Sequence, residues 1–389
     1  MGTLPAPADR VRTLPPSATV AAAEQARALR AKGIDVVDLS GGDPDVPTAP
    51  HVCEAAAEAM RRGETHYVDG AGIPSLRAAI AAALRAHRGL EVEPDGGVLV
   101  TPGGKAALYE ALHAYVGPGV DVLLPEPAWV SYRPMVALAG GRVVSVPLGD
   151  DFTLSREALE RAHTPASRVL LLCSPSNPTG HVLSSAELDA VEAFAVAHDL
   201  LVFSDEIYAH LCFDGRPHLS PGARPALRER TLVFDGFSKT YAMTGWRLGW
   251  VTGPPSLLAP VRVLHSHLAT CAASFAQAAG VAALEGPQDL VGELHRVFDR
   301  RRRLVADALS ALPGVRCPKP QGAFYAFVDL RQRGESSVAL ARRLLDEARV
   351  AVTPGAAFGE GGEGFIRLAL TTGDARLLEG IERIGKVLR

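Results

Sequence analysis

Seven short runs rich in β-branched and other apolar residues, at 98–100, 120–124, 143–146, 169–173, 200–203, 231–234 and 248–252, alternate with helical stretches or tight turns. Short apolar runs separated by helical segments predict parallel strands joined by crossovers, so the chain is read as α/β with one broad, seven-stranded, mostly parallel sheet flanked by helices. Several runs end in polar or Gly/Pro clusters: Thr101-Pro102-Gly103-Gly104-Lys105, Pro125-Glu126-Pro127-Ala128-Trp129, Ser174-Pro175-Ser176-Asn177-Pro178-Thr179-Gly180 and Ser204-Asp205-Glu206. In open α/β sheets ligands bind beyond the carboxyl ends of the strands, so these clusters are where a site is expected.

A long amphipathic pattern from about 287 to 311 follows, closed by Pro313-Gly314, and strand-like segments at 323–328 and 365–369 come after it. An Ala-rich helical stretch at 17–32 precedes a short apolar run at 36–39. The expected organisation is an N-terminal arm and part of a small domain in 1–44, a large ligand-binding domain in 45–286, and a small C-terminal domain in 287–389. Both chain ends then contribute to the small α/β domain. Within the long helix, Arg300-Arg301-Arg302-Arg303 is a local basic cluster; Leu294, Val297, Phe298, Val305, Leu309 and Leu312 recur at helical spacing around it. The four arginines are therefore expected on its wet side.

Hydrophobic residues make up 47% of the 389 and charged residues 21%, which fits a globular chain and not a disordered one. A net charge of -3 supplies no bulk attraction for nucleic acid. No apolar run approaches the roughly 20 residues needed to span a bilayer, and the Pro-rich start has no signal-peptide core, so a cytoplasmic protein without membrane contact is expected. Five scattered cysteines lack metal-ligand spacing. They are expected to be buried thiols, and no metal site is expected.

The segment Asp235-Gly236-Phe237-Ser238-Lys239-Thr240-Tyr241-Ala242-Met243-Thr244-Gly245-Trp246-Arg247 carries the strongest chemical signal. A lysine can form a Schiff base with a carbonyl, while a nearby hydroxyl and guanidinium suit a phosphate on the same ligand. Pyridoxal phosphate carries both groups. Such a cofactor needs a carboxylate to keep its ring nitrogen protonated, and Asp205, after the apolar run 200–203, is the candidate. Buried there it would need a cationic partner; otherwise it is a solvated strand-end acid.

Gly104 and Lys105 open a helix after a glycine turn, where free amides can take a phosphate, although many such turns only connect elements. Trp129 either stacks on a ligand ring or fills the core. Asn177 and Tyr208 offer donors to a phenolic oxygen, or are a turn residue and a core phenol. Arg367 is a lone cation on an apolar strand: a substrate carboxylate or an ordinary ion pair would satisfy it.

Together with Pro16-Ser17-Ala18-Thr19, Leu39-Ser40-Gly41-Gly42-Asp43-Pro44, and Tyr67 followed by Gly72-Ile73-Pro74-Ser75-Leu76-Arg77, these motifs run in order along nearly the whole chain. The sequence resembles fold-type I, class I pyridoxal-phosphate aminotransferases, most closely the prokaryotic aspartate branch. The resemblance implies that Lys239 carries the cofactor and acts as acid-base catalyst, with Asp205 at the ring nitrogen, Asn177 and Tyr208 at the phenolic oxygen, and Trp129 on the ring face. Gly104, Lys105, Ser238 and Arg247 would hold the phosphate. Tyr67 would reach the neighbouring subunit's phosphate, which implies a homodimer with shared active sites. Arg367 and the backbone near Gly41, with Asn177 and Trp129, would take the substrate's α-carboxylate.

The implied reaction moves an amino group from an L-amino acid to a 2-oxo acid, 2-oxoglutarate being the expected acceptor, by ping-pong kinetics. Thr19 and Lys105 match positions that in the aspartate branch bind a distal carboxylate, which favours aspartate or another dicarboxylic amino acid, while relatives with similar motifs that act on aromatic, branched or unusual amino acids leave a specialised amino acid open. Two departures stand against a simple aspartate enzyme: residues 265–277 contain no arginine to reach a partner's site, and Val46 replaces an aromatic residue. A pyridoxal enzyme of another type, a C-S β-lyase or an amino-acid oxidase, shares the same cofactor grip. A cofactor-binding regulator would need a DNA-binding domain, for which there are too few residues before Ser17.

Overall fold

The computed structural model describes residues 6–12 and 14–389. Among the described residues twelve strands run in chain order: β1 Val37–Asp38, β2 Val98–Thr101, β3 Asp121–Glu126, β4 Arg142–Pro147, β5 Ser167–Cys173 and β6 Leu201–Asp205 come first. They are followed by β7 Thr231–Gly236, β8 Gly249–Thr252, β9 Tyr325–Asp329, β10 Val350–Ala351, β11 Thr353–Pro354 and β12 Phe365–Ala369. The predicted seven-stranded sheet is present in the order β2-β8-β7-β6-β5-β3-β4. Only β8 runs against its neighbours, so all other strands point their carboxyl ends the same way.

Strands β2, β7 and β8 are buried at every residue, as expected when helices cover both faces of a parallel sheet. The edge strand β4 is the least covered, with both end residues exposed. One helical layer includes Gly104–Tyr115 and Pro255–Leu268; the other includes Ser185–Ala197, which opens on a capping box between Ser184 and Glu187. Leu108 and Leu112 meet Val122 and Phe234 on the first side, and Leu188 and Phe194 meet Leu170 and Val202 on the second. Alternate residues of each strand thus feed two separate cores.

The chain ends come together outside this sheet. β1 pairs in parallel with β10, and β11, β12 and β9 form a three-stranded antiparallel sheet. The helix Asp289–Ser310 packs Leu294, Phe298, Val305 and Leu309 into a core shared with Val37, Leu39, Ile366 and Leu368.

Two expectations fail here. Arg300 and Arg303 are exposed, but Arg301 and Arg302 are buried on the apolar side. Arg301 makes a fork to Asp45 at 2.7 Å on each arm, and Arg302 meets Asp214, Asp299 and the Pro320 carbonyl while lying 4.6 Å from the Phe213 ring centre. Their acids come mostly from distant sequence, so a local charge pattern could not reveal the pairing. The cysteines are all free, yet only Cys317 is buried; Cys53 is exposed and Cys173, Cys212 and Cys271 are partly covered.

Candidate active site

Chain direction alone gathers the polar clusters at one sheet end. Gly104 follows β2, Trp129 follows β3, Asn177 follows β5, Asp205 ends β6 and Lys239 follows β7. Because β8 is reversed, the stretch preceding it, with Arg247, falls at the same end. Arg367, in the middle of β12, approaches from the other sheet system. The result is a cavity of about 300 Å³ lined by Thr19, Gly104, Lys105, Trp129, Asn177, Asp205, Tyr208, Ser238, Lys239, Arg247 and Arg367. Eleven predicted residues thus surround one space. Gly41 itself does not line it; its neighbour Gly42 does. Tyr67 stands apart on the surface, 84% exposed.

The charges in this cavity are incompletely matched. Asp205 is buried, accepts a 2.6 Å hydrogen bond from the Tyr132 hydroxyl and a weak one from the Ile207 amide, and has no ion-pair partner among the described residues. Burial lifts its carboxyl to about 6, against the pull of the Tyr132 hydroxyl. The cationic partner expected from the sequence is therefore not a described residue of this chain.

Arg367 presents the opposite case. It is 1% exposed, and its guanidinium donates to Asn177 Oδ1 at 2.9 Å, the Ser40 carbonyl at 2.6 Å and Thr353 Oγ1 at 3.3 Å. It lies 4.3 Å from the centre of the Tyr325 ring and 5.0 Å from that of Phe358. All of these partners are neutral, and its Nε has no hydrogen-bond partner among the described residues. An ordinary ion pair is thereby ruled out among the described residues, and an incoming carboxylate would meet a desolvated, pre-oriented cation.

Lys239 sits in the single helical turn Phe237–Thr240 that follows β7 and donates to the Gly42 carbonyl at 2.6 Å. Burial lowers its ammonium to about 8, with Asp43 pulling the other way, so a useful share is neutral and nucleophilic near neutral pH. Arg247 occupies a left-handed conformation (φ 51°) between a turn and β8. Gly103 (φ 92°) favours glycine because its backbone lies at positive φ, and the Arg247 guanidinium approaches to 2.6 Å of where a Cβ would stand. That close approach sets the guanidinium beside the start of the helix Gly104–Tyr115, where free amides, the Ser238 hydroxyl and Arg247 suit a dianion.

Lys105 lies 4.7 Å above the centre of the partly covered Trp129 ring, with Ser131 Oγ at 3.4 Å. Burial and then Arg247 lower its affinity for a proton, and no carboxylate pairs with it among the described residues. Thr19 Oγ1 is buried without a hydrogen-bond partner among the described residues. Tyr208 is buried with its hydroxyl 3.0 Å from that of Tyr325.

Several site residues escaped the sequence reading. Tyr132 touches Asp205, and Tyr325 bridges Arg367 and Tyr208; an aromatic residue in an apolar run gives no local sign of such contacts. Behind the site, Arg88 bridges Glu206 at 2.9 Å and Asp235, while His218 and Ser220 also meet Glu206. Arg88 ends the helix Pro74–Arg88, outside every polar cluster that follows a strand, so only folding reveals its role.

The model of aminotransferase class I and II matches residues 34–384. The chain belongs to that family. Among curated aminotransferases, the aspartate aminotransferase of Streptomyces avermitilis is 41% identical over 97% of this chain and 95% of its own. The aromatic-amino-acid aminotransferase 2 of Thermococcus litoralis is 39% identical over 92% of this chain and 93% of its own. The solved aspartate aminotransferase of Thermus thermophilus with maleate superposes with a TM-score of 0.93 at 39% identity, covering 99% of this chain and 100% of the other. This aminotransferase is thus a transaminase of α/β fold, and the matches lend no support to the lyase or oxidase alternatives.

Proposed function

We propose that this aminotransferase uses pyridoxal 5'-phosphate to move the amino group of a dicarboxylic L-amino acid, aspartate foremost, to 2-oxoglutarate. The observation that carries the cofactor assignment is Asp205: a buried carboxylate whose missing counter-ion a protonated ring nitrogen would supply. The remaining groups fit the same molecule. Lys239 would hold the aldehyde, Asn177 and Tyr208 the phenolic oxygen, and Trp129 the ring face. Gly104, Lys105 through its amide, Ser238 and Arg247 would take the phosphate. What the group supplies when bound is an electron sink for the charge left at the substrate Cα.

The chain's own residues do the rest. Arg367 grips the substrate α-carboxylate, helped by the backbone near Gly41, and so orients the Cα hydrogen toward Lys239. Lys239 Nζ, with its ammonium lowered to about 8, can take up that proton near neutral pH. Residues 45–286 would act as the cofactor-bearing domain, and the described residues of 1–44 with 287–389 would form the smaller domain that brings Arg367. Tyr67, 84% exposed, would serve a second subunit's phosphate in a homodimer.

The preference for a second carboxylate rests on Lys105 and Thr19. One is a partly desolvated cation without a carboxylate, the other a buried hydroxyl without a partner among the described residues, and both line the same cavity. The maleate in the Thermus thermophilus structure is a dicarboxylate in a relative's structure. A panel of amino donors against 2-oxoglutarate tests this; poor turnover of aspartate and glutamate beside aromatic or branched donors would refute it. Lys105→Met is expected to lower kcat/KM about tenfold or more for aspartate, while leaving alanine and phenylalanine nearly unchanged. Arg367→Ala is expected to lower kcat/KM about 10²–10³-fold for every donor, because the α-carboxylate is common to all of them. Steady-state kinetics with matched donors separates the two effects.

A further inference from the structure

Tyr132 lines the same cavity, and its hydroxyl makes the 2.6 Å contact to Asp205 Oδ2. It starts the helix Tyr132–Leu138 and is 1% exposed, so the phenol cannot reorient toward water. Its ring packs edge-on against Trp129, with centroids 5.2 Å apart and planes at 84°. One side chain therefore braces both the carboxylate that would face the ring nitrogen and the indole that would cover the ring.

We infer that Tyr132 is a positioning residue that keeps the shared proton on the cofactor's ring nitrogen by stabilising Asp205 as a carboxylate. The inference rests on the pyridoxal phosphate assignment. A buried carboxylate facing a pyridine nitrogen can settle in two ways, as an ion pair or as a neutral acid and neutral base. Few groups favour the ion pair here. The Ile207 amide reaches Asp205 Oδ1 only at 3.3 Å, and the nearby Glu206 and Asp235 carboxylates repel a negative charge on Asp205. Arg88 engages both of those acids and is committed to them. Cys173, whose thiol burial pushes up to about 12, is neutral and adds no cation. The phenol is thus the strongest donor to the Asp205 carboxylate. By donating to Oδ2 it also leaves Oδ1, which accepts only the long Ile207 bond, as the less engaged oxygen.

Without the hydroxyl, the carboxylate loses its best donor and the proton moves toward Asp205. The ring nitrogen would then accept electrons less well. A hydrogen bond to a charged group is strong enough to alter the proton ratio by about tenfold to a hundredfold.

The test uses holoenzyme rebuilt with pyridoxal phosphate labelled with nitrogen-15 in the ring. In Tyr132→Phe the nitrogen resonance is expected to move toward the neutral pyridine value, and kcat to fall with little change in KM. Para-aminophenylalanine at position 132 keeps a weaker donor of nearly the same shape and is expected to give an intermediate shift. It carries the test alone if the phenylalanine variant does not fold. A nitrogen resonance identical to that of the unsubstituted enzyme overturns the inference, even when thermal stability falls, because a purely structural role changes stability without moving the proton. Failure of the unsubstituted chain to bind the labelled cofactor would instead overturn the cofactor assignment.

Discussion

Replacing Lys239 with alanine is expected to lower transamination by at least about 10⁴-fold while leaving the fold intact. On the proposed function the side chain does two things at one atom: it would hold the cofactor's aldehyde and carry the substrate Cα proton. General acid-base catalysis alone is worth about 10²–10⁴-fold, and loss of the covalent anchor adds to it. The lysine head group contributes little to packing, since Nζ donates to the Gly42 carbonyl and otherwise lies 5.9 Å from the Phe324 ring centre. Stability therefore changes little, or rises, because a cation is removed from a site where burial disfavours it. Borohydride should fix the cofactor to residue 239 in the native chain and not in the variant, as read by peptide mass. Label found on another lysine would move the catalytic centre.

Asp205→Asn is expected to act in opposite directions on the two forms of the protein. In the cofactor-free chain, the carboxyl titrates near 6 instead of 3.8 because it is buried. Below about pH 4 it is protonated both folded and unfolded and has no effect. As pH rises through that interval the unfolded chain ionises first, so stability falls. Above about 6 the full penalty is present, about 3 kcal/mol at about 1.4 kcal/mol per pH unit. Asparagine removes this penalty and still accepts the Tyr132 hydrogen bond, so the cofactor-free variant should be the more stable at pH 8, with a smaller advantage at pH 5. With cofactor the order reverses. Losing one partner of a buried ion pair costs about 3–5 kcal/mol, so affinity for pyridoxal phosphate should fall about 10²–10⁴-fold. Denaturant titrations at both pH values, with and without cofactor, read all four states. A variant less stable than the native chain at pH 8 without cofactor would show that burial does not strain this carboxylate.

Strands and the end of the sheet that carries the site were largely legible in the sequence. The seven apolar runs became the seven strands of one sheet, and the polar clusters after them became the cavity wall, because strand direction converts a linear pattern into a spatial one. The lone cation of β12 was legible as an anomaly, and burial with neutral partners gave the anomaly its meaning. Long-range partners were not legible. Arg301 and Arg302 read as wet because their neighbours in sequence are arginines, while the acids that let them enter the core lie mostly on other elements. Tyr132 and Arg88 were invisible for the same reason: each acts through a residue brought to it only by the fold.

A chain that exchanges an amino group between two substrates through one cofactor-bearing site must complete each half-reaction separately. Holoenzyme mixed with L-aspartate alone should lose its visible absorbance and release one oxaloacetate per site with no free ammonia, and 2-oxoglutarate should then restore the absorbance and yield glutamate. Continued product formation without any 2-oxo acid, accompanied by ammonia or peroxide, would contradict transamination at this site.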